Sequence, residues 1–328
     1  MISPDKKGRP ILVVVRGALG DAVITLPLLT ALAIEFESER LFLAGNPVNL
    51  SVLAGLPFTA GILDHDRAEW SGLYQNPPLV PERLGDFLLS LEAAVVLAPG
   101  PEDALADGLK ALGLKKVLLA PSRPDPDRGI HLSERQWSSL GLPRPKNVPL
   151  LAPSAEGLAG AREFLEKNRL LGRPVASFHP GSGAARKNWP LAGWLRLARL
   201  ARDRMGLTPL FILGPADQAL AAELAAEAPG LVTARDLSLD VLAGLLAPAA
   251  IHSGNDSGVS HLAAALGVPV LAVFGPADPA HWAPRGPRVK IVAPPGPCSL
   301  EGPLLRPSYE EVRQAWLELF AAGHPAAP

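Results

Sequence analysis

A strand, a polar turn, a helix and a second strand follow one another between residues 249 and 275, and this order constrains the fold more than any other feature. Residues 249–252 are apolar and end in a Ser-Gly-Asn turn signal, which predicts a short buried strand. Residues 259–266 predict a helix that starts after Asp256 or Ser257, both good N-cap residues. Gly267 ends this helix, and residues 268–274 predict a second buried strand. Such a unit is typical of a parallel sheet.

The N-terminus of this helix is predicted to lie at the carboxyl edge of the preceding strand. Backbone N–H groups and the helix dipole favour an anion such as a diphosphate at that position. In the alternative interpretation, residues 255–258 only cap the helix, which is a common role for such residues. For any single residue of the turn, both interpretations stay open.

Apolar and helical segments alternate along the rest of the chain. Strands are predicted at residues 11–15, 41–44, 60–63, 93–97, 116–119, 174–179 and 208–213. Helices are predicted at residues 22–36, 50–54, 81–91, 104–112, 131–142, 157–170, 191–205, 218–228 and 237–246. Pro27 lies inside the first of these helices and predicts a kink or a late start. The pattern indicates an α/β protein with parallel sheets.

The length of 328 residues is sufficient for two α/β domains. Four prolines between residues 143 and 153 mark a stiff linker. We therefore expect one domain over residues 1–153 and a second over residues 154–328. A C-terminal helix over residues 308–321 either belongs to the second domain or packs back on the first.

Composition excludes several classes of protein. A net charge of −1 and the lack of a basic tract argue against nucleic-acid binding. No apolar run reaches the roughly 20 residues of a membrane-spanning helix. Residues 11–15 are too short and strand-like for a signal-peptide core, so we expect a cytoplasmic protein. Cys298 is the only cysteine, which excludes an internal disulfide framework and a cysteine-based zinc cluster.

The loop at residues 16–21 follows the first predicted strand. It matches neither the Gly-x-Gly-x-x-Gly dinucleotide fingerprint nor the Walker sequence, so an NAD-dependent dehydrogenase is disfavoured. Gly17 and Gly20 allow the backbone to come close to a ligand. Asp21 stands at the predicted helix start, where the helix dipole stabilises a carboxylate. Asp21 is either a helix cap or a catalytic base.

A second loop, residues 180–190, follows the strand at 174–179. Its glycines expose backbone N–H groups, and Arg186 and Lys187 add positive charge beside them. The loop is either an anion site or a solvated surface loop. Asp217, after the next strand, either meets a ribose hydroxyl or caps the next helix.

Two Asp-x-Asp patterns raise the question of a metal site. They are Asp64-His65-Asp66 and Asp125-Pro126-Asp127. Such pairs can hold a divalent cation, but turn chemistry explains both more simply, because the first follows a strand and the second lies among prolines. We therefore expect no metal and no cofactor.

Several motifs together resemble the glycosyltransferase family 9 heptosyltransferases, which transfer heptose from ADP-heptose to lipopolysaccharide core. The matching segments are residues 16–21 (Arg-Gly-Ala-Leu-Gly-Asp), 178–182 (Phe-His-Pro-Gly-Ser), 187–190 (Lys-Asn-Trp-Pro), 255–265 (Asn-Asp-Ser-Gly-Val-Ser-His-Leu-Ala-Ala-Ala) and 274–279 (Phe-Gly-Pro-Ala-Asp-Pro). They span nearly the whole chain in the family's order. The resemblance implies a GT-B fold, with two Rossmann-like domains facing each other across a cleft.

The resemblance also implies roles for individual residues. Asp21 is similar to the family's proposed general base, and Lys187 to the residue that neutralises the donor phosphates. The remaining donor-binding candidates are Ser182, Asp217, Asp256, Ser257, Gly258 and His261, with Asp217 nearest to the place of the acidic residue near the ribose. The acceptor or cleft loop contains Arg16, Gly17 and Gly20.

These residues lead us to expect an inverting, metal-independent glycosyltransferase. It would move a heptose-like sugar from a nucleotide-sugar, ADP-heptose by resemblance, to a lipopolysaccharide or other cell-envelope glycan acceptor. A glycolipid acceptor would bring the protein to the inner face of the cytoplasmic membrane. A sugar-nucleotide epimerase and a non-catalytic nucleotide-sugar-binding protein on the same fold remain as alternatives.

Overall fold

The computed structural model describes residues 8–295 and 305–323. The chain forms two compact units, Met1–Pro149 and Leu150–Pro328. Each unit contains one parallel sheet, and helices connect its strands. The predicted α/β class with two Rossmann-like sheets is therefore confirmed. Cys298 lies outside the described residues.

The first unit has a five-stranded sheet in the order β3-β2-β1-β4-β5. Its strands are β1 (Ile11–Val15), β2 (Leu41–Gly45), β3 (Thr59–Asp64), β4 (Ala93–Ala98) and β5 (Val117–Pro121). Its helices are α1 (Leu19–Ile24), α2 (Leu26–Glu35), α3 (Pro47–Leu50), α4 (Glu82–Leu89), α5 (Ala104–Leu112) and α6 (Leu132–Ser138). Every residue of β1 and β4 is buried, as continuous apolar runs predict for central parallel strands.

The second unit has a six-stranded sheet in the order β11-β10-β9-β6-β7-β8. Its strands are β6 (Val175–His179), β7 (Thr208–Leu213), β8 (Val232–Arg235), β9 (Ile251–Asn255), β10 (Val270–Val273) and β11 (Val289–Val292). Its helices are α7 (Ala155–Lys167), α8 (Leu191–Met205), α9 (Gln218–Glu227), α10 (Leu239–Leu246), α11 (Gly258–Ala265), α12 (Pro279–Trp282) and α13 (Tyr309–Gly323). This is the strand order of a dinucleotide-binding Rossmann sheet.

The order of strands reverses once in each sheet. In the first sheet the reversal lies between β1 and β4, and in the second between β6 and β9. Parallel α/β sheets bind ligands at the carboxyl ends of the strands that flank such a reversal, because the loops of these two strands diverge and leave a crevice. The fold therefore directs attention to the loops after β1, β4, β6 and β9.

The strand that precedes the polar turn and helix α11 is longer than the sequence predicts. The prediction ended it at His252 with a Ser-Gly-Asn turn, but β9 continues through these three residues to Asn255. Each of them pairs with a residue of β10, so the ladder overrides their turn propensity. Gly254 is required by close packing, because a Cβ there would lie 2.8 Å from the Ser260 hydroxyl.

The helix predicted over residues 22–36 is interrupted, in agreement with the kink or late start predicted from Pro27. Two helices, α1 and α2, replace it, and Thr25 separates them. Pro27 occupies the first turn of α2, where its missing N–H has no partner to lose. Asp21 consequently lies inside the first turn of α1 and not before the helix.

Two short strands, β8 and β11, were not predicted, and helix α13 belongs to the second unit. Its buried side chains Val312, Ala315, Trp316 and Leu319 join the hydrophobic core around β10 and β11. The Trp316 indole donates a hydrogen bond to the Ser253 hydroxyl on β9 at 3.1 Å. The apolar stripe of this helix thus packs within its own unit, and the alternative that the helix packs back on the first domain stays a prediction.

Candidate functional site

The loop after β6 and the turn after β9 meet at the reversal point of the second sheet. We call residues 180–189 the β6 loop. Lys187 lies near its end, and its ammonium Nζ is 2.6 Å from Oδ2 of Asp256. The Lys187 side chain is 31% exposed to solvent, whereas the Asp256 side chain is only 8% exposed. The structure thus brings together the two charged residues that the sequence places 69 positions apart, with the lysine open to a ligand.

Helix α11 begins at this same point. Ser257 is its N-cap, and the Ser257 hydroxyl accepts a hydrogen bond from the Ser260 N–H at 3.5 Å. Gly258 is the first helical residue. The N-terminal end of α11 carries the partial positive charge of the helix dipole. A lysine ammonium and a helix N-terminus therefore lie at the same carboxyl edge, which is a suitable environment for a diphosphate.

His261 lies one turn into α11 and is 5% exposed. Burial lowers the pKa of His261 to about 4; Lys187 also lowers this pKa, while Asp256 and the Trp282 backbone raise it. The imidazole is consequently neutral at neutral pH. A neutral imidazole has one N–H donor, and the hydrogen bond to the Trp282 backbone uses it.

Ser182 and Asp217 organise the backbone around the site. The Ser182 hydroxyl lies 2.7 Å from the Ala184 carbonyl and from the Asn188 side-chain oxygen. Asp217 is 6% exposed, and its Oδ2 accepts a hydrogen bond from the Gly214 N–H at 2.8 Å. A side chain at Gly181 would overlap the Asp217 carboxylate. Asp217 therefore acts as a cap packed under the β6 loop, and its contact with a ribose stays a prediction.

The first unit presents a separate group of residues after β1. Asp21 Oδ2 accepts a hydrogen bond from the Ala18 N–H at 2.8 Å, so the carboxylate caps the helix that contains it. A Cβ at Gly17 would lie 2.5 Å from the same oxygen, which explains the glycine. Gly20 is a residue of α1. The role of Asp21 as a base stays a prediction beside this capping contact.

The Arg16 side chain extends from the end of β1 to the end of β4, the two strands that flank the reversal in the first sheet. Its guanidinium donates to the Leu97 carbonyl at 3.2 Å and forms an ion pair with Asp103, the N-cap of α5. Asn49, after β2, donates to the Gly17 carbonyl at 3.0 Å. These contacts hold the start of the loop at residues 16–21, and the sequence did not predict the parts played by Asn49 and Asp103.

Both Asp-x-Asp patterns form local turns. Asp64 Oδ1 accepts from the Asp66 N–H at 3.1 Å, and Asp125 Oδ1 accepts from the Asp127 N–H at 3.2 Å. This is the side-chain geometry of an Asx turn. Across residues 8–295 and 305–323, no three His, Cys, Asp or Glu side chains are grouped as a metal site requires. Over the same ranges, no helix has both the length and the apolar character that crossing a bilayer demands.

Asn255 belongs to the motif at residues 255–265, but the sequence predicted no separate role for it. Asn255 is fully buried, and its amide contacts both ends of the β6 loop. A buried asparagine at a strand end is a recognisable signal, because its four hydrogen-bonding positions require partners. That signal was missed because the prediction placed Asn255 in a polar turn and not in the strand.

Comparisons with known proteins agree with this architecture. Over 155 residues the chain is 34% identical to lipopolysaccharide heptosyltransferase 1 of Pseudomonas aeruginosa, covering 46% of this chain and 41% of that protein. The matched segment thus spans less than half the length of this curated relative. The structure is similar to that of a family 9 glycosyltransferase from Veillonella parvula, with a TM-score of 0.80, 19% identity, and coverage of 96% of this chain and 98% of the other.

A structure of the Escherichia coli heptosyltransferase WaaC with ADP is also similar. Its TM-score is 0.65 at 21% identity, with 94% of this chain and 99% of that chain covered. These likenesses confirm the GT-B fold class. The family model described as glycosyltransferase family 9 (heptosyltransferase) matches residues 100–301, which is more than half of the chain. The chain therefore belongs to glycosyltransferase family 9, the heptosyltransferase family.

Proposed function

We propose that the protein transfers a heptose-like sugar from a nucleoside-diphosphate sugar, with ADP-heptose as the donor, to a lipopolysaccharide or other cell-envelope glycan. The observation that carries the proposal is the pairing of Lys187 with Asp256 at the N-terminus of α11. The similar WaaC structure contains ADP, which supports an adenine nucleotide as the leaving group. Family membership supports a sugar transfer reaction.

The proposed chemistry is a single in-line displacement. The acceptor hydroxyl attacks the anomeric carbon, and the nucleoside diphosphate leaves from the opposite side, so the configuration inverts. Asp21 accepts the hydroxyl proton as the new bond forms. Lys187 and the N-terminus of α11 compensate the charge that develops on the leaving diphosphate. These residues perform the step without a metal ion.

Donor binding is tested by replacing Lys187 with alanine. We expect Lys187→Ala to weaken ADP binding about tenfold or more, because a charge-assisted contact contributes roughly 1.5–3 kcal/mol. The variant also leaves the nearly buried Asp256 carboxylate facing the phosphates without a compensating charge. Isothermal calorimetry with ADP, GDP and UDP measures the affinity and the base preference together.

Lys290→Ala is the matched control, since Lys290 forms an ion pair with Glu318 at 2.8 Å on the surface of the same unit. It should bind ADP as the wild type does. Unchanged affinity in Lys187→Ala would remove Lys187 from the donor site. Incubation with ADP-heptose alone tests the first alternative, because an epimerised donor indicates an epimerase. Incubation with ADP-heptose and glycan acceptors tests the second, because donor binding without transfer indicates a non-catalytic protein.

A further inference from the structure

Asn255 closes the β6 loop with one side chain. Its Oδ1 accepts a hydrogen bond from the Trp189 N–H at 2.9 Å, and its Nδ2 donates to the Pro180 carbonyl at 2.7 Å. Pro180 is the first residue of the loop and Trp189 is the last. The amide therefore joins both ends of the loop to the end of β9 and sets where the segment between them runs.

Only one orientation of the amide satisfies these partners. The Trp189 N–H can only donate and the Pro180 carbonyl can only accept, so the oxygen must face Trp189 and the NH₂ must face Pro180. Asn255 is fully buried, so water does not replace either bond. A side chain at this position must supply one acceptor and one donor, and must be uncharged to do so without repulsion.

Two consecutive residues, Asn255 and Asp256, hold the ends of the β6 loop and the Lys187 side chain respectively. Asp256 follows Asn255 directly and pairs with the Lys187 ammonium, while Lys187 lies two residues before the anchored Trp189. Within the loop, the Lys187 N–H donates to the Ala184 carbonyl at 2.9 Å and the Asn188 N–H to the Ala185 carbonyl at 3.0 Å. The backbone around Lys187 thus forms a short turn, and the hydrogen bonds from Asn255 fix the chain before this turn at Pro180 and after it at Trp189.

We infer that Asn255 is a positioning residue, which holds the β6 loop so that Lys187 meets the donor diphosphate. This inference rests on the proposed function, because it assigns the diphosphate to Lys187. A residue of purely structural value would affect the stability of the fold and leave nucleotide affinity unchanged. A positioning residue changes the affinity of a protein that stays folded.

Asn255→Asp separates the two roles, because its hydrogen-bonding pattern depends on pH. A protonated carboxyl has an O–H donor and a C=O acceptor, and so reproduces the amide. An ionised carboxylate has no donor and repels the Pro180 carbonyl oxygen. We expect ADP to bind Asn255→Asp about tenfold or more weakly than wild type at pH 8, and nearly as tightly as wild type at pH 5.

Two further variants complete the comparison. Asn255→Ala supplies neither bond, and its affinity relative to wild type should be low at every pH. Asn168→Asp is the matched control, since Asn168 also donates its side-chain amide to a backbone carbonyl, that of Phe164, at the end of α7. Its ADP affinity should follow wild type throughout. Wild-type affinity in folded Asn255→Asp and Asn255→Ala at pH 8 would overturn the inference.

Hydrogen exchange of the backbone amides supplies a readout that needs no nucleotide and no variant. In the wild type, the Trp189 amide should exchange much more slowly than the Gly183 amide in the middle of the loop. Equal exchange of these two amides would show that Asn255 does not hold the loop, and would overturn the inference. If the wild type fails to bind ADP, the proposed function fails, and the exchange comparison still decides whether Asn255 orders the loop.

Discussion

Asp21 is the single residue whose two roles can be separated most cleanly. Its carboxylate caps α1 by accepting the Ala18 N–H, and asparagine can accept the same hydrogen bond through its oxygen. An asparagine cannot take a proton from the acceptor hydroxyl, and general-base catalysis typically contributes about 10²–10⁴-fold. We therefore expect Asp21→Asn to keep its melting temperature and donor affinity while transfer falls by at least about a hundredfold.

The measurement compares wild type with Asp21→Asn in turnover, melting curves and donor dissociation constants. Asp240→Asn is a suitable control, because the Asp240 carboxylate also accepts hydrogen bonds, from the Ser154 N–H and hydroxyl, in the second unit. Equal turnover in wild type and Asp21→Asn would leave Asp21 as a helix cap and remove it as the base.

Three buried histidines make stability depend on pH. Burial lowers the pKa of His252 to about 3 and of His261 to about 4, and it also lowers the pKa of His179. Burial in the native state disfavours the protonated form of these rings, while the unfolded chain binds protons below about pH 6.5. The unfolded state therefore holds more protons in acid, and stability falls as the pH drops from 6.5 towards 4.

The expected slope is about 1.4 kcal/mol per pH unit for each histidine that stays neutral. Urea unfolding between pH 6.5 and 5 measures it, in a range where most carboxylates stay ionised. His252→Gln should be less stable, because the ring accepts or donates a bond with the Ser177 hydroxyl at 3.0 Å, but its slope should be shallower by one histidine's share. An unchanged slope in this variant would contradict the prediction.

At the scale of single elements, α13 contributes a buried tryptophan to the core of the second unit. Trp316 is fully buried, stacks on Phe320 with ring centroids 5.4 Å apart, and bonds Ser253 on β9. Removing a buried tryptophan side chain costs about 3–5 kcal/mol. We expect Trp316→Ala to lower the free energy of unfolding by about that amount, measured by denaturant titration.

Trp137 provides the comparison for this element. It lies on α6 of the first unit and is only partly buried, so Trp137→Ala should be clearly less destabilising. A Trp316→Ala protein as stable as Trp137→Ala would show that α13 is not part of the core of the second unit.

At the scale of the whole molecule, the proposed reaction has its own source of positive charge. The Lys187 ammonium and the N-terminus of α11 supply positive charge of the kind that metal-dependent transferases obtain from Mg²⁺ or Mn²⁺. We expect transfer to continue at an unchanged rate in excess EDTA. Loss of turnover on chelation and its recovery with Mn²⁺ would return attention to the carboxylates at Asp64 and Asp125.

Much of the architecture was predictable because its signals are local. Four predicted elements, Ile11–Val15, Ala104–Leu112, Leu191–Met205 and Thr208–Leu213, match the structure residue for residue. The two helices have apolar periodicity, the two strands are short apolar runs, and glycine follows the last three of these elements. The prediction failed at the end of β9, where pairing with β10 outweighs single-residue propensity, and at the start of α1, which begins at Leu19 and not at Ala22.

The sequence by itself determined the two parallel sheets, the family motifs and the identity of the charged candidates Asp21, Lys187 and Asp256, because periodicity, turn chemistry and motif spacing are all carried by neighbouring residues. Only the tertiary structure decided that Asn255 holds both ends of the β6 loop and that Lys187 pairs with Asp256. Parallel strands bring together residues that are tens of positions apart in the chain, and their register depends on the pairing of β6 with β9. Burial then determines which polar groups must bond to each other, because water cannot satisfy them.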